Sequence, residues 1–183
     1  VVNYKAFEVA GITMDTPDPE GGMFYRNADE FTGRIAELAS NAFLAAGVWP
    51  TVDRASNQEN VRLNTLRMAA SGLTSTTDAG CTPGNWQAYN DAYAAGELNC
   101  RVAAMPRGQL YEAMKAGSIR SGFGDDMLRV GAAKFLADGS ASERTMAMST
   151  PYAGKPDDYG ILVSSQDEIY AAVDDAVAHD FRV

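Results

Sequence analysis

Two side chains on which much enzyme chemistry depends are scarce here: 183 residues carry one histidine, His179, and two cysteines, Cys81 and Cys100. The cysteines show neither CxxC nor finger spacing, which excludes a zinc finger or a disulfide framework. They read as ordinary buried thiols of a reducing, cytoplasmic compartment. One imidazole cannot build a multi-histidine metal site, and nothing near His179 suggests a nucleophile–histidine pair. There is no GxSxG elbow, no GxGxxG after the first predicted strand and no Gly-Lys-Ser/Thr loop, so a serine hydrolase elbow and nucleotide binding lack support. No run of about 18 apolar residues suggests a membrane span. The first residues do not read as a signal peptide. Basic residues are outnumbered, 15 against 24 acidic, giving a net charge of −9 spread along the chain. A nucleic-acid partner would need a basic face.

What is present is globular. The 46% apolar content is enough to bury a core at this length. Val1 to Ala10 predicts an amphipathic helix ended by Gly11, and Thr16 to Gly22 a loop, because two prolines and two glycines leave no room for regular structure. Met23 to Arg26 and Thr32 to Ala36 predict a hairpin, followed by a helix from Ile35 to Ala46. From about residue 54 the pattern becomes regular. Helices are expected at Asn57 to Ala70 and Gln109 to Ala116. Another follows Thr82-Pro83, an N-cap with proline in the first turn, and its Trp86, Tyr89 and Tyr93 form a packing stripe. Strands are expected at Leu73 to Thr77, closed by Asp78-Ala-Gly80, at Leu98 to Met105 and at Leu128 to Ala137. Ser140 to Asp158 has no periodicity, and a segment of that length suggests cover over a site. Ser165-Gln-Asp-Glu168 is a capping box, and Phe181 to Val183 would begin a fourth strand. Strands alternating with helices predict βα units and a parallel sheet. Both ends of the chain read as cut, as in a fragment of something longer.

Within the third strand, Lys134 lies between Ala133 and Phe135. An unpaired buried ammonium is costly, so it should pair with Asp138, reach water, or stand ready for chemistry at the carboxyl end of a parallel strand. Asp78, Lys134, Asp138 and Arg144 all fall at or just beyond the ends of predicted strands, the end that carries the active site in α/β barrels.

Several motifs occur together in one order: Val1-Val-Asn3-Tyr-Lys-Ala6, Gly11-Ile-Thr13, Thr16-Pro-Asp-Pro19-Glu-Gly-Gly22, Thr32-Gly33 with Glu37, Leu73-Thr-Ser-Thr-Thr-Asp78-Ala-Gly80, Lys134-Phe-Leu-Ala-Asp138-Gly139 and Ser149-Thr-Pro151-Tyr152. With these the chain resembles the amidohydrolase superfamily, in the YtcJ-like branch of the amidohydrolase 3 family. The resemblance implies a metal-dependent hydrolase that cleaves carbon–nitrogen bonds other than ordinary peptide bonds. The implied fold is α/β, about half of a (β/α)8 barrel of the TIM type, with residues 1–50 an inserted hairpin and helix region and 51–183 the partial barrel. It implies that Lys134, as a carbamate, is the metal ligand, with zinc as the metal of the parent enzyme. Asp78 is implied as catalytic, and Asp138 and Arg144 as substrate-binding, toward a small amide-type molecule. Thr77 stands where many relatives have histidine, and Ser142-Glu143 where relatives tend to have Gly-Ser. The family's His-x-His would lie upstream of Val1, and its later histidines and last-strand aspartate downstream of Val183. This chain alone is therefore expected to be inactive and to bind no metal.

Two other readings compete. A non-catalytic α/β binding or scaffold domain would fold alone and bind a ligand without metal. A small intact enzyme would use Asp78 and Asp138 as an acid/base pair. A half-barrel exposes sheet edges, so the chain is expected to form a homo-oligomer or to associate with missing segments.

Overall fold

The computed structural model describes all 183 residues, and none of its helices is long and apolar enough to cross a membrane. The chain divides into two compact units, Val1–Thr51 with Leu136–Ile169, and Val52–Phe135 with Tyr170–Val183.

The first unit is built on phenylalanine. Helix α1 (Tyr4–Val9) starts at Asn3, whose side chain accepts the Ala6 N–H. Strands β1 (Gly22–Arg26) and β2 (Phe31–Glu37) pair antiparallel, and helix α2 (Ser40–Ala45) follows. Phe7 stacks on Phe31 with ring centroids 4.1 Å apart, and Phe43 meets Phe7 edge-on at 5.2 Å. Phe24 closes the cluster, and all four rings are buried. Each such ring contributes about 1.5–3 kcal/mol on burial. The expected helix from Ile35 is corrected, since Ile35 and Ala36 pair with Phe24 and Met23 and keep the chain extended. Only after Glu37, in the left-handed region at φ +48°, can the backbone turn into α2.

Leu136 to Ser165 adds no helix or strand to this unit and is held by individual backbone bonds. Asp138 bridges Leu162, Gly139 N–H donates to the Ile161 carbonyl, and Ile161 N–H donates to that of Thr145. The segment ends at the capping box that the spacing predicts. Ser165 N–H donates to Glu168 Oε2 at 2.7 Å, and Glu168 N–H donates back to Ser165 Oγ.

The second unit carries a parallel three-stranded sheet, β3 (Ser75–Cys81), β4 (Arg101–Pro106) and β5 (Leu128–Val130), in that spatial order. Helix α3 (Arg54–Ala70) precedes β3, α4 (Pro83–Ala94) joins β3 to β4, α5 (Gln109–Ala116) follows β4, and α6 is Gln166–Ala178. Thr82 caps α4 with Pro83 in its first turn, as expected. Helix α3 starts three residues earlier than predicted because Asp53 accepts the Ser56 N–H at 2.8 Å. Four strand readings need correction. β3 runs through Asp78-Ala-Gly80 instead of stopping there, because Asp78 stays in register with Ala104 of β4. β4 starts at Arg101, while Leu98 packs with Ala92, Val102 and Leu128. β5 ends at Val130, far short of Ala137. Beyond it Gly131 N–H donates to the Ala104 carbonyl and Lys134 N–H to that of Pro106, so three residues advance against two and the regular ladder is lost. Phe181–Val183 forms no strand, but the Arg182 carbonyl accepts the Ala133 N–H at 2.7 Å.

Candidate functional site

Lys134 owes its place to the bond from its N–H to the Pro106 carbonyl at 3.0 Å. Pro106 ends β4, so the lysine stands at the carboxyl end of the parallel sheet, as its sequence position suggests. Its neighbour Ala133 is 1% exposed, whereas Lys134 itself is half-buried. No hydrogen bond or salt bridge engages its ammonium.

Asp78 has a different setting. Its register row is Asp78, Ala104, Val130, and the row before it is Thr76, Val102, Leu128. The buried members of these rows pack on the helices, with Leu110, Tyr111 and Met114 of α5 around Ala104 and Val130. Asp78 therefore shares the helix-packed face of the sheet, and Thr77, Ala103 and Arg129 share the other. It adjoins Cys81 and Tyr89. Burial pushes the Cys81 thiol up to about 12, and the nearby Asp78 charge adds to the shift. The Tyr89 hydroxyl is pushed up by burial first and by Asp78 second. Both groups therefore stay protonated at neutral pH. Together with Asn57 and Asn64 of α3, Asp78 and Tyr89 line a cleft of about 490 Å³. Trp86 and Tyr89 of the predicted stripe pack against the core; Tyr93 is exposed and donates to Asp125.

Asp138 and Arg144 belong to the first unit, in one loop. Asp138 is half-buried, and its Oδ2 accepts the Ala147 N–H at 2.8 Å. Arg144 is exposed at φ +57°. Next to Arg144 lies a cluster that sequence reasoning missed. Thr145, 1% exposed, donates its hydroxyl to Glu37 Oε1 at 2.5 Å and accepts the Ser140 N–H at 2.9 Å. Glu37 is part of the motif set, but neither residue carries a signal for their partnership, which spans 108 positions. The loop can pack this closely because a Cβ on Gly139 would lie 2.4 Å from the Thr145 carbonyl oxygen, and one on Gly160 2.1 Å from that of Met146.

The structure thus divides the four sequence-derived residues, with Asp78 and Lys134 in one unit and Asp138 and Arg144 in the other. Zinc takes about four donors. A carbamate on Lys134 would supply one ligand group, and no three His, Cys, Asp or Glu side chains cluster anywhere in the chain. The residues present fit one ligand of a metal site and do not complete it.

The whole chain, residues 1–183, matches Amidohydro_3, described as the amidohydrolase family. It is 27% identical over 174 residues to the Bacillus subtilis (strain 168) protein described as "Putative amidohydrolase YtcJ", covering 92% of this chain and 32% of that protein. Among solved structures it is similar to an uncharacterized metal-dependent hydrolase from Pyrococcus horikoshii OT3, with a TM-score of 0.68 at 20% identity over 97% of this chain and 34% of that one. An uncharacterized metal-dependent hydrolase from Pyrococcus furiosus gives a TM-score of 0.68 at 20% identity, covering 98% and 36%. The chain spans about a third of the length of these relatives.

Proposed function

Because the chain belongs to the amidohydrolase family, we propose that it is the part of a metal-dependent hydrolase that supplies the lysine ligand, within a (β/α)8 barrel acting on carbon–nitrogen bonds other than ordinary peptide bonds. The observation that carries this reading is Lys134: half-buried, at the carboxyl end of the parallel sheet, with no partner for its ammonium. Half-buried and unpaired, this side chain is open to a small reactant. Reaction of its neutral amine with carbon dioxide would replace it with a carbamate anion, which suits a divalent cation such as zinc. When bound, that metal would activate a water and polarise the substrate carbonyl.

The other residues take roles in keeping with their chemistry. Arg144, exposed and free of a side-chain partner, offers a guanidinium to a carboxylate or carbonyl of a small amide-type substrate. Asp138, anchored through Oδ2, keeps its other oxygen as an acceptor for a substrate N–H. Asp78 faces the helices beside Tyr89 and Cys81, which in a barrel is the outer side, so the catalytic role expected of it is not carried into this reading.

The test is metal analysis of the complete parent enzyme and its Lys134→Ala variant after growth with zinc. The wild type should hold metal, and the variant should lose it together with roughly a thousandfold or more of its amide-hydrolysing activity. Added bicarbonate should raise the metal content of the wild type only. Equal metal content in the two proteins would remove Lys134 from the site.

A further inference from the structure

We propose that Glu37 is a positioning residue for the substrate contacts given above to Asp138 and Arg144, acting through Thr145; the inference rests on that reading of the two residues. Arg144 and Asp138 lie on one loop with no helix or strand to hold it. Three side chains supply what regular structure does not. Asp138 fixes one end through the Ala147 N–H. Arg34 of β2 donates to the Glu143 carbonyl at 2.6 Å, one residue before Arg144. Glu37 at the end of β2 takes the Thr145 hydroxyl at 2.5 Å, one residue after it. Thr145 passes that restraint on, since its Oγ accepts the Ser140 N–H and its own N–H donates to the Ser140 carbonyl, closing a turn over residues 140–145. Arg144 is thus bracketed on both sides by bonds to β2.

The backbone adds a second observation. Glu37 and Arg144 are two of the four non-glycine residues at positive φ, with Ser118 and Asp180, a conformation that side-chain-bearing residues hold only when their surroundings over-determine it. Strain at Glu37 and at the residue next to its partner Thr145, in an otherwise irregular loop, fits preorganisation of an exposed cation better than general stability. The chemistry needed at Glu37 is an acceptor oxygen, so glutamine can replace it, and serine can replace Thr145. Alanine and valine cannot.

The experiment has two arms. In the complete zinc-loaded parent enzyme with 4-nitroacetanilide as probe substrate, Glu37→Ala and Thr145→Val should raise KM about tenfold with kcat little changed. Glu37→Gln and Thr145→Ser should restore the wild-type KM. Arg144→Ala should raise KM as well, and adding Glu37→Ala to it should have no further effect. In the second arm, limited trypsin digestion should cut the Arg144–Thr145 bond about tenfold faster in Glu37→Ala and Thr145→Val, with cutting at Arg107 unchanged as a control for folding. Unchanged cleavage at Arg144 or unchanged KM in Glu37→Ala overturns the inference, as does a Glu37→Gln variant as damaged as Glu37→Ala. If Arg144→Ala leaves KM unaltered, or the wild type does not turn over the probe, the reading under Proposed function fails instead. Accelerated cleavage would then still report the Glu37–Thr145 link, so the two failures are distinguishable.

Discussion

The two units solve the problem of holding candidate site residues by different means. In the second, Lys134 lies beyond the end of β5, and a backbone bond from its N–H to the Pro106 carbonyl ties it to a sheet whose helix-packed face is buried against Leu110, Tyr111 and Met114. In the first, Asp138 and Arg144 sit on a long irregular loop, and individual side chains such as Glu37 and Thr145 do the fixing over a base of four phenylalanines. A backbone bond to a sheet survives most side-chain changes. Bonds made by side chains do not, so single substitutions in the loop should shift geometry with little effect on the rest.

Core deletion tests this contrast most strongly. Phe43, 0% exposed, and Met114, 2% exposed, are counterparts in the two cores. Phe43→Ala should cost about 3–5 kcal/mol and Met114→Ala about 2–5 kcal/mol. Hydrogen exchange should show protection lost first in β1 and β2 for the former, and first in β4 for the latter. Simultaneous loss everywhere in both variants would mean that the division has no energetic counterpart.

A smaller effect concerns helix starts. Thr82 satisfies the N-terminus of α4 within the sheet-bearing unit, and Thr82→Ala should cost about 1 kcal/mol in urea denaturation. The smallest is a pH effect. Asp175 accepts from Lys115 Nζ and Tyr111 Oη, and these partners hold its carboxyl below the usual range. A depressed folded-state pKa contributes stability above the unfolded value of about 4 and loses it as pH falls through the folded value. Lys115→Met should therefore lower stability near pH 7, and the gap from wild type should narrow in acid below about pH 4. A gap that stays constant through the acid limb would show that Lys115 contributes packing alone.

Local features were legible in the sequence, and distant ones were not. The Ser165–Glu168 capping box, the Thr82-Pro83 helix start, the β1–β2 hairpin and the Gln109–Ala116 helix each depend on neighbours a few residues apart, and each forms as spelled. The strand limits failed where partners decide. Leu128 to Ala137 is apolar enough for one long strand, yet the offset between its bonds to Ala104 and to Pro106 ends β5 after three residues. Ile35 to Ala46 alternates poorly enough to suggest a helix, yet pairing with β1 carries it to Glu37 as strand. For the site, the motif order pointed to Lys134, expected within the third strand; the structure has it beyond the end of β5, bonded to Pro106 of β4. The face that Asp78 occupies and the bond between Glu37 and Thr145 depend on register and long-range closure, which spacing does not encode.

Gly139 and Gly160 bear on how such a sequence can vary over time. At each, even a methyl group would overlap the carbonyl oxygen of Thr145 or Met146. In a saturation library of this gene, nearly every missense codon at these two positions should be purged, although neither residue offers any chemistry of its own. Exposed Glu143 and Ser142, inside the same loop, should accept many. The loop would drift in composition while its path stayed fixed.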